Sequence, residues 1–303
     1  MCRVRHPDEQ TDLGRAALYM VASALAFSLM SAAVKVAAHD VSSPVVVFFR
    51  NAVGLVLLVP WALREGPRRL ATKQPGGHLV RGLAGVAAMS CFFFAIGRMR
   101  LADAVLLNQS FPLFLPLAER AWLGERVRPG VWRSLALGFA GVVVILRPGA
   151  GVWSAAALAG LASAVLAATA QVGIRRLTHT EPVARIVFYF AVIGTAAAAL
   201  PLPWAWRTPT PGAWVALGAV GVLATIGQFV LTRAYAHAPA ASVGPFIYTG
   251  VVFAVLIDWT VWGVLPDPGF APGASLIAIA GVWMLRHESS QTPSAHAGSA
   301  PTP

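Results

Sequence analysis

Asn108 and Gln109 stand just upstream of Pro112, inside an apolar run that reaches from Ala102 to Leu123. A proline removes one backbone N–H and its ring clashes with the preceding turn, so backbone carbonyls are freed at that point. Two amides beside freed carbonyls supply donors and acceptors for a small ligand, or else hydrogen-bond a neighbouring helix at about 0.6 kcal/mol. Tyr248 follows Pro245 in a second apolar run, and Gln171 and Gln228 place further amides in two more. Such a set suits a zwitterion, an amide or a heterocycle. Phe93, within Phe92-Phe93-Phe94, and Phe111 offer ring faces to a planar ligand or a cation. Packing against lipid or other helices is the alternative for these rings.

Two ionisable groups could add charge coupling. An ionisable side chain in hydrocarbon costs about 2.5–3.5 kcal/mol on insertion scales, so it needs a cavity or a partner. Arg50 lies a turn or two inside an apolar run and reads either as an anion clamp or as a snorkelling residue that ties helix ends together. Asp103, next to Arg98 and Arg100, reads either as a surface ion pair or as a carboxylate that carries a coupling proton. Glu119 and Asp258 fall near helix ends and bear more on architecture. Lys35 and Arg175 sit at helix ends suited to snorkelling.

The elements that hold these residues are long and apolar. Hydrophobic residues make up 57% and charged residues 12% of the 303, and the mean hydropathy is +0.68, which excludes an ordinary soluble globule. Runs able to cross a bilayer as helix are predicted at Ala16–Val36, Pro44–Leu63, Gly82–Ile96, Ala102–Leu123, Val131–Leu146, Trp153–Ile174, Val183–Pro203, Ala213–Leu231, Ala240–Trp262 and Ala271–Leu285. Breakers or charges fill every gap, and the alternation that marks a membrane β-barrel is absent. Residues 1–15 read as a cytoplasmic segment without a cleavable signal, 148–152 as a linker, and 287–303 as a disordered cytoplasmic tail rich in Ser, Ala, Thr and Pro.

The net charge of +11 and the isoelectric point near 11.1 follow from where Lys and Arg fall. Placing the N-terminus inside puts most of them on one face, among them Arg64, Arg68, Arg69, Lys73, Arg81, Arg126, Arg128, Arg175, Arg176 and Arg185. Lys35, Arg98, Arg100, Arg147 and Arg207 remain on the other. Both termini are therefore predicted cytoplasmic, in a multi-pass protein of the inner membrane. Loop-distributed charge of this kind points to lipid headgroups rather than nucleic acid. Cys2 and Cys91 form no disulfide framework or thiolate metal site, and no metal or other cofactor is expected.

Five of these runs precede residue 148 and five follow it. Reading the fourth run against the ninth at a shift of 139 pairs Ala102 with Ala241, Gln109 with Tyr248, Glu119 with Asp258 and Gly124 with Gly263. A shift of 140 pairs Ala22-Ser23-Ala24 with Ala162-Ser163-Ala164 and Lys35 with Arg175. The shared offset marks a duplication, and a unit with an odd number of crossings must invert its second copy. The expected fold is an all-α integral membrane protein of ten transmembrane helices, built as two inverted five-helix repeats, 16–147 and 153–286, around a central cavity.

These residues resemble the drug/metabolite transporter superfamily, in particular the ten-helix proteins with two EamA-type domains. Phe48-Phe49-Arg50, the stretch from Ala104 to Glu125, and the stretch from Ala241 to Pro268 with Pro245-Phe246-x-Tyr248 and Gly263-x-x-Pro266-Asp267 carry the resemblance. Val264 departs from it, standing where the first half has Glu125. The resemblance implies a monomer or homodimer whose cavity is lined by the first, third, fourth, sixth, eighth and ninth helices. It also implies carriage of amino acids, nucleobase-type metabolites, vitamins or amphipathic amines.

Three function classes stay open on the residues. A secondary carrier moves a small metabolite through a midplane cavity by alternating access, driven by a gradient, with the proton as the candidate coupling ion; its substrate is an amino acid or related amphipathic metabolite, or, as the alternative, a planar vitamin or adenosyl compound taken up. A membrane enzyme would need a motif, and Walker A, His-Glu-x-x-His and Gly-x-Ser-x-Gly are all missing. A non-transporting assembly or sensor subunit would need another reason for polar groups held in mid-membrane.

Overall fold

The computed structural model describes residues 13–123, 129–146, 154–178, 180–237, 246, 248–266 and 268–289, and those residues form helices and connecting turns without a strand. The helices are α1 (Leu13–Ala37), α2 (Ser43–Leu70), α3 (Pro75–Ile96), α4 (Leu101–Asn108), α5 (Leu115–Leu123), α6 (Pro129–Leu146), α7 (Ala155–Thr178), α8 (Val183–Ala199), the single turn α9 (Leu202–Ala205), α10 (Pro211–His237), α11 (Thr249–Trp262) and α12 (Phe270–Ser289). Five segments are long and apolar enough to cross a membrane: Gly14–Ala37, Ser43–Gly66, Pro75–Ile96, Ala155–Ile174 and Pro211–Leu231. Shorter apolar helices occupy Ala184–Ala199, Thr249–Trp262 and Phe270–Ala280.

Helix ends follow local chemistry. Pro75 opens α3 at a position where a missing N–H costs nothing, seven residues ahead of the expected Gly82. That shift carries His78 and Arg81 from an expected loop into the helix. Gly66, at φ 75 and ψ 165, breaks the helical geometry inside α2. Gly263, at φ 66, ends α11 in the left-handed conformation that glycine adopts without strain, and its N–H and that of Val264 return to Trp259 and Asp258 carbonyls. The seventh run closes at Ala199 instead of Pro203, because Pro201 and Pro203 cannot continue the ladder. The tenth extends through Ser289, past the expected start of the tail at 287.

The expected Ala102–Leu123 run is not one helix. It stops at Asn108, passes a turn at Gln109-Ser110 and a 3-10 turn at Phe111–Phe114, and resumes as α5. Pro112 explains the stop, since its ring collides with the carbonyl four residues back, at Asn108. The ninth run is described from Phe246 and Tyr248 onward, and residues 238–245 lie outside the described set.

Packing runs mainly between the two halves of the chain. α1 lies along α10 and α11, α3 along α7 and α8, α2 against α8 and α10, α4 against α7 and α11, and α6 against α12. The largest core gathers Met30, Val34, Phe93, Ile96, Leu106, Leu217, Val251 and Ala254 from both halves. Outward faces carry Leu18, Val56, Leu63, Val215, Phe229 and Val261, as lipid-facing helices require.

Candidate functional site

The helix break at Asn108 sets the first group of site residues. Gln109 N–H still reaches the Val105 carbonyl at 2.8 Å, and the Ser110 hydroxyl donates to the Leu107 carbonyl at 2.6 Å, so the turn is tied at its helical end. Asn108 donates through Nδ2 to Ser163 Oγ on α7 at 3.0 Å, and Ser163 donates on to the Gly160 carbonyl. Gln109 points the other way, toward α11. Its Nε2 would lie 3.3 Å from a β-carbon on Gly250, the residue two places after Tyr248. The Gly250 carbonyl accepts the Ser28 hydroxyl of α1 at 3.0 Å, so α1, the broken α4 and the start of α11 converge here.

Tyr248 packs against the main core, and its hydroxyl is buried with no hydrogen-bond partner among the described residues. Phe93 lies in that same core, 1% exposed, and Phe111 packs on Leu113, Phe114 and their neighbours. Gln171 on α7 and Gln228 on α10 are both half-buried. Gln228 follows Gly227, whose carbonyl accepts the Ser23 hydroxyl of α1 at 3.0 Å. Gln109 is thus brought near Gly250 at the start of α11, two residues after Tyr248, while Asn108 turns to α7, Gln171 stands on α7, Gln228 on α10 and Phe111 in the 3-10 turn after α4.

Charged groups gather at the N-terminus of α4. Asp103, in the first turn of α4, accepts Arg100 Nε at 2.7 Å. Asp258 of α11 is 2% exposed; its Oδ2 accepts the Ala102 N–H at 2.8 Å and its Oδ1 lies 2.9 Å from Lys35 Nζ. Two carboxylates therefore sit at the N-terminus of α4, where helix dipole and unpaired N–H groups favour negative charge. Lys35, expected to snorkel, is instead held by Asp258 and lies 4.4 Å over the Trp262 ring. A cleft of about 260 Å³ lined by Lys35, His39, Arg98 and Arg100 opens beside the pair. Glu119 and Arg175, the partners expected from the duplication, have side chains outside the described set.

Arg50 belongs to a second place. Its Nη1 donates to Asn51 Oδ1 at 3.2 Å, and its guanidinium carbon lies 5.4 Å from the centre of the Phe190 ring on α8. Arg81 of α3 covers the same ring at 3.6 Å. Arg81 had no place among the site residues expected from the sequence, where it counted as a loop charge. Its signal was Pro75: a helix started there puts His78, Arg81, Gly82 and Gly85 along one face.

At the adjoining turn before α8, Glu181 is buried, which alone would raise its carboxyl pKa. Hydrogen bonds from Thr72 at 2.5 Å and from Arg185, the Arg185 charge and the Lys73 N–H outweigh that and hold it below the usual range. Among the described residues no three His, Cys, Asp or Glu side chains gather as a metal site.

The EamA-like transporter family profile matches the chain twice, over residues 14–147 and 154–286. The chain belongs to the EamA-like transporter family. Like other members of the drug/metabolite transporter group, this EamA protein is a multi-pass membrane transporter and not an enzyme. It is 36% identical to the pseudopaline exporter CntI of Pseudomonas aeruginosa over 272 residues, covering 89% of this chain and 95% of that one. It is 30% identical to the riboflavin transporter of Rhizobium johnstonii over 276 residues, covering 90% and 91%. One solved crystal structure matches with a TM-score of 0.63 at 22% identity, over 92% of this EamA chain and 99% of that chain, which is a likeness of fold.

Proposed function

We propose that this EamA-family transporter is a secondary carrier of ten spans in two inverted repeats, moving a small amphipathic metabolite such as an amino acid or its derivative by alternating access. The observation that carries the reading is how helix partners exchange between the halves. If α1, α2, α3, α4–α5 and α6 correspond to α7, α8, α10, α11 and α12, then the α1–α10 contact maps onto α7–α3, and α1–α11 onto α7–α4. On the same mapping α2–α10 becomes α8–α3, while α2–α8, α4–α11 and α6–α12 map onto themselves. That pattern supports a pseudo-two-fold relation between five-span units, and inverted units with a site between them are the architecture of alternating access.

The binding centre in this reading is the broken α4 facing the start of α11, with Asn108, Gln109 and Tyr248 at its middle and Gln171, Gln228, Phe93 and Phe111 around it. Asp103 and the proton supply the coupling, both termini are cytoplasmic, and the protein sits in the inner membrane as a monomer or homodimer. Uptake of a planar metabolite is the second reading, favoured by the riboflavin transporter among its relatives. Flux of a metabolite panel into proteoliposomes tests both. The expected result is saturable flux of at least one amphipathic metabolite, reduced in Gln109→Ala and Tyr248→Phe. Flux left intact in both variants removes the proposed centre.

A further inference from the structure

Two guanidinium groups from the first repeat meet one phenyl ring from the second, deep in the apolar spans. Arg50 is seven residues past the start of α2 and Arg81 six past the start of α3. At 1.5 Å per residue each lies roughly 9–10 Å along its helix, and the short α2–α3 connection makes the two helices antiparallel, so the groups approach from opposite ends. Both guanidinium carbons lie within 5.4 Å of the centre of the Phe190 ring. Gly85 makes the stack possible: a β-carbon there would come within 2.7 Å of the Phe190 ring and 2.9 Å of Arg81 Nη1.

Among the described residues no carboxylate pairs with either cation. Arg50 Nε and Arg81 Nε and Nη1 are buried without a hydrogen-bond partner among the described residues, and Arg81 as a whole is 7% exposed. Glu181, at the nearby turn, is already committed to Thr72, Lys73 and Arg185. His78, three residues before Arg81 on the same face of α3, is 1% exposed, its ring stacks 4.6 Å from that of Tyr189, and both of its ring nitrogens lack a partner among the described residues. A ring face offsets only part of the lost hydration of a guanidinium, and a buried cation with N–H groups to spare is suited to an anion.

We propose that Arg50 and Arg81, with His78 beside them, form an anion-recognition site for the carboxylate of the transported molecule. The inference rests on the carrier reading above and names a chemical class for its substrate. Asn51 orients Arg50, accepting from its Nη1 while donating its own amide N–H to the Val47 carbonyl at 2.7 Å. Phe190 and Tyr189 give the anion an apolar wall, which strengthens a charge-assisted hydrogen bond. A lipid phosphate would bind at headgroup level, whereas these groups lie more than a helical turn below the ends of their spans.

The test uses the full-length protein in liposomes and paired probes that differ only at the carboxyl group: L-phenylalanine with its amide, L-leucine with its amide, and the N-acetylated form of each. The acid-to-amide flux ratio is internal to each preparation, so protein yield cancels. The wild type is expected to favour the acids by about tenfold, the scale of one charge-assisted hydrogen bond. Arg81→Gln and Arg50→Gln should each bring that ratio to within about twofold of unity, and Arg207→Gln in the exposed turn after α9 should keep it. If Arg81→Gln fails to insert, Arg50→Gln decides alone. A wild type that moves no probe and no panel metabolite sinks the carrier reading. Flux without acid preference, or a preference that survives in both variants, overturns the anion site alone. A preference unchanged by Arg81→Gln, with stability that rises on adding phosphatidylglycerol only in the wild type, assigns the pair to lipid phosphate and overturns it as well.

Discussion

Lys35 and Asp258, 223 residues apart, meet at 2.9 Å and join the end of the first helix to the eleventh, while the second oxygen of Asp258 caps the start of α4. Three segments from two repeats thus depend on one buried carboxylate. Removing one partner of a buried pair leaves the other uncompensated, at a cost of about 3–5 kcal/mol. Asp258→Ala should fall at the lower end, because the Lys35 side chain keeps 16% exposure. Asp258→Asn should cost less, since its amide oxygen can still accept the Ala102 N–H. Lys35→Met combined with Asp258→Asn should be milder than Asp258→Ala. Unfolding free energies of the detergent-solubilised chain would check the order; equal losses for Ala and Asn would mean that the α4 cap contributes nothing.

The all-helical character and the long apolar spans were legible in the sequence, because apolar run length and helix breakers are local signals. Pro112 was read as freeing backbone carbonyls within one span from Ala102 to Leu123, and the structure turns that local signal into a full stop of the helix at Asn108. The Lys35–Asp258 contact was not legible. It depends on which faces of α1 and α11 meet, and both helices are so uniformly apolar that periodicity gives no face. Arg81 was misplaced for a different reason. The polar stretch from Arg64 to Arg81 reads as loop by composition, yet Pro75 starts the helix within it, and burial of an arginine is decided by its tertiary neighbours.

Gly141 of α6 faces α12 so closely that a β-carbon would sit 2.8 Å from the Gly273 carbonyl oxygen and 2.8 Å from Ile277 Cγ1. A backbone atom cannot rotate away, so Gly141→Ala must separate the helices. The expected loss is about 1–3 kcal/mol, as for overpacking in a core. Gly218 of α10 has nothing within 4 Å of the same position, and Gly218→Ala should be neutral or gain about 0.4–1 kcal/mol through helix propensity. Thermal midpoints of both variants in one detergent would compare them. A harmless Gly141→Ala would show that α6 and α12 are not in this contact.

Glu181 ties the α2–α3 turn to the start of α8, and its folded pKa lies below the ordinary 4.5. A carboxylate whose pKa is depressed on folding contributes stability that is fully present above the unfolded value and is lost as pH falls through the folded value. Glu181→Gln should therefore lower stability at pH 7, and the gap to wild type should close only below about pH 4.5. Unfolding of both proteins across a pH series would reveal the gap. A gap that stays constant down to the lowest pH at which the fold persists would show that the charge of Glu181 is not what stabilises this turn.

Asn108 can act through Ser163, through a ligand, or through both, and a double-mutant cycle separates these. The Asn108–Ser163 hydrogen bond joins α4 to α7 across the repeats at 3.0 Å. Interhelical bonds of this kind in lipid average about 0.6 kcal/mol and reach about 1.7. Asn108→Ala and Ser163→Ala should each lose an amount in that range, and the double variant should lose less than the sum, because both remove one bond. If Asn108 also binds substrate, its variant raises KM for flux while Ser163→Ala, equally destabilised, leaves KM within about twofold. Identical KM values in the two variants would confine Asn108 to helix packing and leave Gln109 and Tyr248 as the polar centre.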